Sequence, residues 1–467
     1  MTLSLCAGGI AVALMHTLVI PLLPAFPALL GVSRAEVSWL VTATMLAGAV
    51  GAPVFGRLGD LFGRRRILIL VLGLMLAGSV LGAVSWSYAS LLVARSLQGA
   101  AFGVIPLGIS LLKDHLPADK ADSRVATMSS TLGAGGAIGL PLAGFLSQFA
   151  DWHNLFWVAG AMSLAAIGLA WRFVPESPVR APGRFDAPGA IGLAFALISL
   201  LLGVSQGAVW GWASPRTIGA FVASAVVFVL WAIYELRTST PLVNLRASAR
   251  PMVLLTNVAS ILVGVAMFTS FVLIGQLLQA PESTGYGHAL PTVIAGLCMA
   301  PIGIAMLMFS PLSARLSAAR GAQTTLLAGS VILALANLMQ ALLLDSVTAV
   351  IAVLTITATG TALAYSAMPA IIMAETPETE TAAANSLNAV MRTIGTSTCS
   401  ATTGALLVAF TMNVDGRVMP SATAYTAAFA IASAAATLGA AIACALVLLR
   451  RRRRLSESRS ERALVPA

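Results

Sequence analysis

Long apolar stretches, each about the length of a membrane-spanning helix, alternate with short polar segments along this chain. A bilayer core of ~30 Å requires about 20 apolar residues per helix. The side chains within the stretches do not alternate between apolar and polar, as the strands of a membrane barrel do. The pattern predicts an all-α integral membrane protein with fourteen spans, at 5–27, 37–55, 67–86, 89–112, 124–149, 153–173, 187–206, 217–236, 252–279, 290–311, 323–343, 348–373, 382–411 and 422–449.

Composition agrees with this pattern and narrows the class of protein. Of 467 residues, 58% are hydrophobic and 9% charged, against roughly 25% charged in a soluble domain. The net charge of +10 arises mostly from arginines in short loops and in the final segment, which is a signal of topology and not of nucleic-acid binding. The four cysteines lie in apolar stretches without metal-ligand spacing. The first residues lack the basic segment of a cleaved signal peptide, so we expect them to form span 1.

The distribution of basic residues predicts the orientation. With the N-terminus inside, the cytoplasmic segments hold 22 of the 27 Lys and Arg residues, and the outer loops hold only Arg34, Arg216 and Arg417. Short loops rich in Lys and Arg stay on the cytoplasmic side. We therefore predict a multi-pass protein of the plasma (inner) membrane with both termini in the cytoplasm.

Residues 56–66, between predicted spans 2 and 3, form the most distinctive polar segment. It contains three glycines, Asp60, Arg57 and the run Arg64, Arg65 and Arg66, and we predict a tight loop. Its pattern Gly-x-Leu-x-Asp-x-x-Gly-Arg-Arg resembles the signature loop of the major facilitator superfamily. That resemblance implies a secondary transporter built of two six-helix bundles.

A second, weaker copy of this segment indicates an internal repeat. A shift of 258 residues carries Arg57, Leu58 and Gly63 onto Arg315, Leu316 and Gly321, while Asp60 falls on Ala318. Parallel repeats of this kind flank a central substrate path. We predict four parts: an N-terminal six-helix bundle at 1–174, two inserted helices with linkers at 175–250, a C-terminal six-helix bundle at 251–449 and a basic cytoplasmic tail at 450–467.

The inserted pair narrows the resemblance to the fourteen-helix branch, the drug:proton antiporter-2 family. Residues 184–189, 211–215 and 241–245 look like that branch. Taken alone, they are also ordinary helix-entry signals, with Pro, Asp and Trp near helix ends.

Two arginines lie deep within predicted spans, where an unpaired guanidinium is costly. The segment containing Arg95 and Gln98 resembles the helix-4 motif of the superfamily, which implies a place on the proton or substrate path. We expect Arg95 to line a water-accessible cavity; the alternative is a purely structural arginine whose donors neighbouring carbonyl groups satisfy. Helical spacing puts Asn385, Asn388 and Arg392 on one face of span 13, which would line the cavity from the second half.

Span 5 carries a stripe of small residues that resembles the antiporter motif, with Leu140 where the family has proline. Close helix packing explains Gly135, Gly139, Pro141 and Gly144 equally well. On span 1, the usual acidic position of the branch is Met15, and His16 is the one group nearby that titrates around neutral pH. His16 is therefore a candidate proton carrier or a hydrogen-bonded core residue, and proton coupling is less secure than transport.

Other polar and aromatic side chains within the spans are candidates for the substrate cavity or for helix packing. They are Trp39, Asn257, Phe268, Phe271, Gln276, Gln279 and Tyr365. The histidines are widely separated and no nucleotide-binding loop is present, which argues against a membrane enzyme or an ATP-driven pump.

These observations predict a monomeric exporter of apolar or amphipathic small molecules, cationic or neutral, such as drugs, antibiotics and dyes. We expect proton antiport with alternating access, driven by the proton gradient and without a cofactor. The expected partners are the substrate, protons and the lipid bilayer, and not nucleic acid. An exporter of an endogenous metabolite and a proton-independent facilitator are alternatives, and a channel is a more distant one. Export itself rests on the family resemblance.

The segment before span 13 breaks the charge pattern, because it holds Glu375, Glu378 and Glu380 without a base. A threonine cap on span 13 and acids at its N-terminus explain part of this. In the superfamily the loop after span 2 is thought to meet this helix, which implies a gate that pairs Asp60 with its N-terminus. The same resemblance sets Arg64, Arg65 and Arg66 against Glu378 and Glu380.

Overall fold

The computed structural model describes residues 1–19, 22, 26–149, 151–343, 346–414 and 417–463, and it is almost entirely helical. Seventeen helices follow one another: α1 Thr2–Leu18, α2 Phe26–Leu30, α3 Arg34–Phe62, α4 Arg64–Ala83, α5 Tyr88–Gly99, α6 Val104–His115, α7 Ala118–Phe149, α8 His153–Phe173, α9 Ala187–Trp210, α10 Pro215–Arg237, α11 Leu245–Ser248, α12 Pro251–Gln279, α13 Thr292–Arg320, α14 Ala322–Leu342, α15 Val347–Glu375, α16 Thr381–Ala409 and α17 Ala422–Ala463. Two short antiparallel strands, β1 Thr411–Val414 and β2 Arg417–Pro420, form a hairpin before α17.

Twelve helical segments within the described residues are long and apolar enough to cross a bilayer. Two further helices overlap predicted spans 1 and 13. The first, α1, is shorter than a full span, and the second, α16, runs for 29 residues but is more polar because it carries Asn385, Asn388 and Arg392. A membrane helix can carry such groups when they face protein or a cavity and not lipid.

The helices pack as two groups that meet along a central interface. In the first group, α1 packs on α7 and α8, and α4 packs on α5 and α8. In the second, α12 packs on α15, α16 and α17, and α14 packs on α15 and α17. Between the groups, α7 contacts α13 and α15, and α16 contacts α3 and α6, while the α9–α10 hairpin lies against α3 and α16. Each group has its own apolar core.

Residues 56–66 are not a loop, which corrects the sequence-based prediction. Helix α3 continues to Phe62 and α4 begins at Arg64, so Gly63 alone separates them. Gly63 has φ 112°, a conformation that glycine adopts without steric cost. Gly56 instead allows α3 to pack closely against α16, because a Cβ at this position would lie 2.9 Å from the carbonyl oxygen of Ala382 in the other group.

Four other boundaries also differ from expectation. A 3-10 turn at Ala100–Gly103 divides predicted span 4 into α5 and α6. The basic segment from residue 450 continues α17 as helix to Ala463. A hairpin was not expected after span 13. Helix α1 ends at Leu18, whereas span 1 was predicted to reach residue 27; residues 20–21 and 23–25 of that span lie outside the described residues.

Candidate functional site

A central cavity of ≈ 160 Å³ lies between the two groups of helices. Helices α1, α6 and α7 and the 3-10 turn line it on one side, and α12, α13, α15 and α16 line it on the other. Its wall is mostly apolar and includes Phe102, Phe268, Phe271 and Met306. Ligand sites in proteins are typically apolar pockets with a few placed polar groups, and both halves contribute to this one.

The polar groups of the cavity come from facing helices. His16 of α1 packs edge-on against Phe102, with ring centroids 5.4 Å apart, and its Nδ1 is buried without a hydrogen-bond partner. On the other side, the guanidinium carbon of Arg392 lies 5.0 Å from the ring centroid of Tyr365. Thr361, Thr393 and other threonines add hydroxyl groups to the wall.

Arg95 does not line this cavity, which corrects the expectation for its position. The side chain is buried inside the first group of helices, only 1% exposed. It donates to Gln98 Oε1 at 2.8 Å and, at 3.4 Å, to the carbonyl oxygens of Leu40 and Met15. Gln98 in turn donates to Ser79 at 2.9 Å. Backbone and amide oxygens thus satisfy most of the guanidinium, as expected of a purely structural role. One of these oxygens belongs to Met15, at the position where the branch usually has an acid.

The other candidate residues divide between the cavity and helix packing. Phe268, Phe271 and Tyr365 line the cavity together with Arg392 and His16. Asn388 donates to Asn257 at 3.0 Å and to Ser260 at 2.6 Å, so this amide pair joins α16 to α12. The remaining candidates, Trp39, Gln276, Gln279 and Asn385, are also absent from the cavity wall. Gln276 and Gln279 are exposed, because helical rotation turns these two positions away from the interface.

The glycine stripe of α7 packs against neighbouring helices. A Cβ at Gly135 would lie 2.6 Å from the Ala13 Cβ, and one at Gly139 would lie 3.3 Å from the Leu14 carbonyl oxygen, so both positions allow α1 to approach. Gly144 faces Val293 of α13, and Pro141 lies within α7. These contacts are those of close helix packing.

A buried charge network joins the two groups at one end of the helices. We call this end the arginine-rich face and define it by Gly63, residues 376–380 and the basic end of α17. Asp60 is fully buried, and its carboxylate accepts from the backbone N–H groups of Ala382 at 3.3 Å and Ala383 at 2.9 Å. The first N–H groups of a helix lack partners within the helix and attract anions. Asp60 therefore caps α16 from the other group of helices.

Arg64 holds this cap in place through three acceptors. Its guanidinium donates to Asp60 at 2.8 Å, to Asp114 at 2.5 Å and to the carbonyl oxygen of Glu378 at 2.8 Å. Ser177 supports Asp114 with a 2.5 Å hydrogen bond. A planar guanidinium is suited to this forked arrangement. Asp114 was not predicted from the sequence as a partner of Arg64. A signal was present, because a carboxylate at the C-terminal end of a helix is unfavourable unless a cation faces it.

The expected ion pairs between Arg65 or Arg66 and the carboxylates of Glu378 and Glu380 are not formed. Arg65 and Arg66 instead direct their backbone N–H groups to Glu176, at 2.9 and 3.3 Å, which caps α4. The Glu380 carboxylate accepts from Asn244 at 3.0 Å. The predicted threonine cap is also absent, since the Thr376 hydroxyl donates to Ile372. Nearer partners explain both results: Glu176 lies at the start of α4, and the Thr376 hydroxyl is used within α15.

Comparison with known proteins agrees with this architecture. The family model described as Major Facilitator Superfamily matches residues 5–399 and 295–466. The chain is 31% identical over 319 residues to the tetracenomycin C resistance and export protein of Streptomyces glaucescens, covering 66% of this chain and 59% of that one. It is 29% identical over 310 residues to the cephamycin export protein CmcT of Amycolatopsis lactamdurans, covering 63% and 64%. The chain thus spans about three-fifths of the length of these relatives.

A solved structure shows the same fold. The human organic anion transporter MFSD10 (TETRAN) superposes with a TM-score of 0.65 at 16% identity, covering 95% of this chain and 98% of that chain. At this identity the likeness concerns the fold alone. The chain belongs to the Major Facilitator Superfamily, a class of membrane transporters and not of enzymes.

Proposed function

We propose that this protein is a secondary transporter of the fourteen-helix drug:proton antiporter-2 branch that exports apolar or amphipathic small molecules from the cytoplasm. The observation that carries the proposal is the central cavity, because α1 and α7 of one half and α12 and α16 of the other enclose it together. A site shared by two halves changes its access when the halves rock against each other.

In this proposal the arginine-rich face lies in the cytoplasm and the network of Asp60 and Arg64 closes it. The cap on α16 crosses from one half to the other, so it must break for the cavity to open on that side. Contacts of this kind bias one state of a two-state equilibrium. The proposal includes fourteen spans, cytoplasmic termini, a monomer in the plasma membrane, and proton antiport as the energy source.

A proton-independent facilitator is the second candidate, and one observation favours it. Among the described residues that line the cavity, none is Asp or Glu. If transport is nevertheless coupled to protons, His16 is the residue of the cavity wall that would carry the proton. We expect His16→Gln to retain substrate counterflow and to lose accumulation driven by a pH gradient. Unchanged gradient-driven accumulation by this variant would remove His16 from the coupling step.

The test of transport is uptake of a panel of dyes and antibiotics into inverted vesicles, with and without a pH gradient. The cavity is tested by Thr393→Trp, which places a large side chain in a volume of ≈ 160 Å³. The matched control is Leu335→Trp, at a side chain of α14 that is 55% exposed. Loss of uptake in the first variant alone supports the cavity as the substrate site. Equal uptake by both would exclude it.

A further inference from the structure

The central cavity carries an unbalanced positive charge. Arg392 is 7% exposed, and its Nη1 atom is buried without a hydrogen-bond partner. The ion pairs found among the described residues do not include it. Its one charge-related contact is the face of Tyr365 at 5.0 Å. A buried guanidinium normally has an anionic or hydrogen-bonding partner for each side of its fork, so one donor is unoccupied on a side chain that lines the cavity.

Arg95 differs from Arg392 in its hydrogen bonds and in its position. Both arginines lie within helices of the interior, and both are more than nine-tenths buried. Arg95 donates to one amide and two backbone oxygens, whereas the Nη1 atom of Arg392 has no hydrogen-bond partner among the described residues. Only Arg392 lines the cavity. The Nη2 atom of Arg95 also lacks a partner, but Arg95 lies outside the cavity, so it is Arg392 that brings an unpartnered donor to the proposed substrate site.

The rest of the wall would not neutralise the charge of Arg392. His16 lies on the opposite half, with its Nδ1 unpartnered, and can add a further donor but no negative charge. As noted above, the described lining contains no carboxylate. Aromatic and aliphatic groups, such as Phe268, Phe271 and Ile302, form most of the surface. Such surroundings strengthen the attraction between Arg392 and an anion, because the local dielectric constant is low.

We propose that the cavity selects anionic amphipathic substrates: an aromatic or aliphatic body with one ionised acidic group, a carboxylate or a phenolate, bound by Arg392. The proposal rests on the function proposed above and replaces the sequence-based expectation of a cationic or neutral substrate. A cavity of ≈ 160 Å³ is smaller than the roughly 300–1,000 Å³ of drug-sized sites. Larger substrates therefore require the halves to separate while the acid remains on Arg392.

The experiment compares probes that share a body and differ in charge. The small set is 1-naphthaleneacetate, its methyl ester and 1-naphthylmethylamine; the large pair is fluorescein and rhodamine 123. Binding to the purified full-length protein and uptake into inverted vesicles are both measured at one neutral pH. We expect the anion of each set to bind and accumulate most strongly. A charged hydrogen bond of this kind gives roughly a ten- to hundredfold preference.

Three variants separate charge from folding. Arg392→Gln should lose the anion preference roughly ten- to hundredfold and leave the ester unchanged, while Arg392→Lys should keep part of it. Thr396→Asp, on the same cavity wall, keeps Arg392 and supplies an internal counterion, so it should turn the preference towards the amine and rhodamine 123. Thr396→Asp decides the matter if Arg392→Gln does not fold.

The outcomes that would overturn the proposal are distinct from those that would overturn transport. Equal binding of anion, ester and amine by the wild type excludes anion selection, as does unchanged preference in Arg392→Gln or Thr396→Asp. Absence of uptake for every probe in vesicles contradicts the proposed function. In that case binding to the purified protein still decides whether the cavity is an anion site, and binding that favours the amine rejects it.

Discussion

The two copies of the repeated segment have the same backbone and opposite chemistry. Gly63 and Gly321 each separate two long helices, with φ values of 112° and 96°. Each N–H donates to the carbonyl oxygen four residues earlier, at 3.0 Å to Gly59 and at 2.8 Å to Ser317. The shift of 258 residues therefore relates two equivalent turns, and the repeat is structural as well as sequential.

The difference lies in what covers each turn. Glu176 lies at the first turn and accepts from the N-terminal N–H groups of α4. Arg450 lies at the second and donates to the carbonyl oxygen of Arg320 at the end of α13. An anion suits the N-terminus of a helix and a cation suits its C-terminus. The first copy also carries Asp60 and Arg64, which join the two halves, where the second has Ala318 and Ala322. The repeat thus kept its turn in both halves and its charged network in one.

The strongest way to break this asymmetry is Asp60→Ala. The change leaves Arg64 with less negative charge and removes the cap of α16, and loss of one partner from a buried pair costs about 3–5 kcal/mol. We expect near-complete loss of transport and increased labelling of a Thr393→Cys reporter from the arginine-rich face. Asp60→Asn keeps a hydrogen-bond acceptor for the N-terminus of α16, so its transport rate should lie between those of Asp60→Ala and the wild type. The matched control is Ala318→Asn at the exposed equivalent position of the second copy; wild-type transport by Asp60→Ala would refute the gate.

Arg64→Lys tests whether the forked geometry matters beyond the charge. A lysine ammonium cannot reach Asp60, Asp114 and the Glu378 carbonyl oxygen in the planar arrangement of the guanidinium. Loss of one charged hydrogen bond costs about 1.5–3 kcal/mol, so we expect transport to fall by roughly tenfold. Uptake rates and reporter labelling provide the measurement. Full activity of this variant would show that charge alone is sufficient.

Gly63→Ala and Gly321→Ala compare the two turns directly. Both glycines combine a positive φ with an extended ψ, and a side chain in so sparsely populated a conformation costs about 1–3 kcal/mol. Both variants should therefore melt at a lower temperature than the wild type. The loss should be greater at Gly63, because a Cβ there would lie 2.9 Å from the Glu176 carboxylate that caps α4. At Gly321 the neighbour is the end of the flexible Arg450 side chain. Thermal unfolding of the purified proteins measures this, and an equal loss would contradict the comparison.

The smallest effect is expected from the double reversal Glu378→Arg with Glu380→Arg. Neither carboxylate pairs with Arg64, Arg65 or Arg66 in this structure, so the network of Asp60 and Arg64 loses only the favourable placement of acids near a helix N-terminus, about 0.3–1 kcal/mol. The hydrogen bond from Asn244 to Glu380 is lost as well, but it is not part of that network. Transport should fall by less than about fivefold, which corresponds to 1 kcal/mol. A loss as large as that of Asp60→Ala would show that these acids do form ion pairs in another conformation.

Sequence alone determined the class of protein and its repeated architecture. Runs of apolar residues can be satisfied in a bilayer only by helices of sufficient length, and the spacing of Gly63 and Gly321 placed the two turns. The resemblance of residues 56–66 to the signature loop of the superfamily also indicated that Asp60 contacts the helix that begins at Thr381. These features depend on local composition and spacing, which a single chain displays without its tertiary structure.

Tertiary structure decided which polar side chains face one another. Arg95 and Arg392 have the same chemistry and similar burial, yet one meets backbone and amide oxygens and the other faces the cavity with an unpartnered donor. Likewise, Arg64 pairs with Asp114, fifty positions away, and not with the glutamates expected from the charge pattern. The rotation of each helix about its axis and the approach of distant helices set these contacts, and neither is encoded in the local sequence.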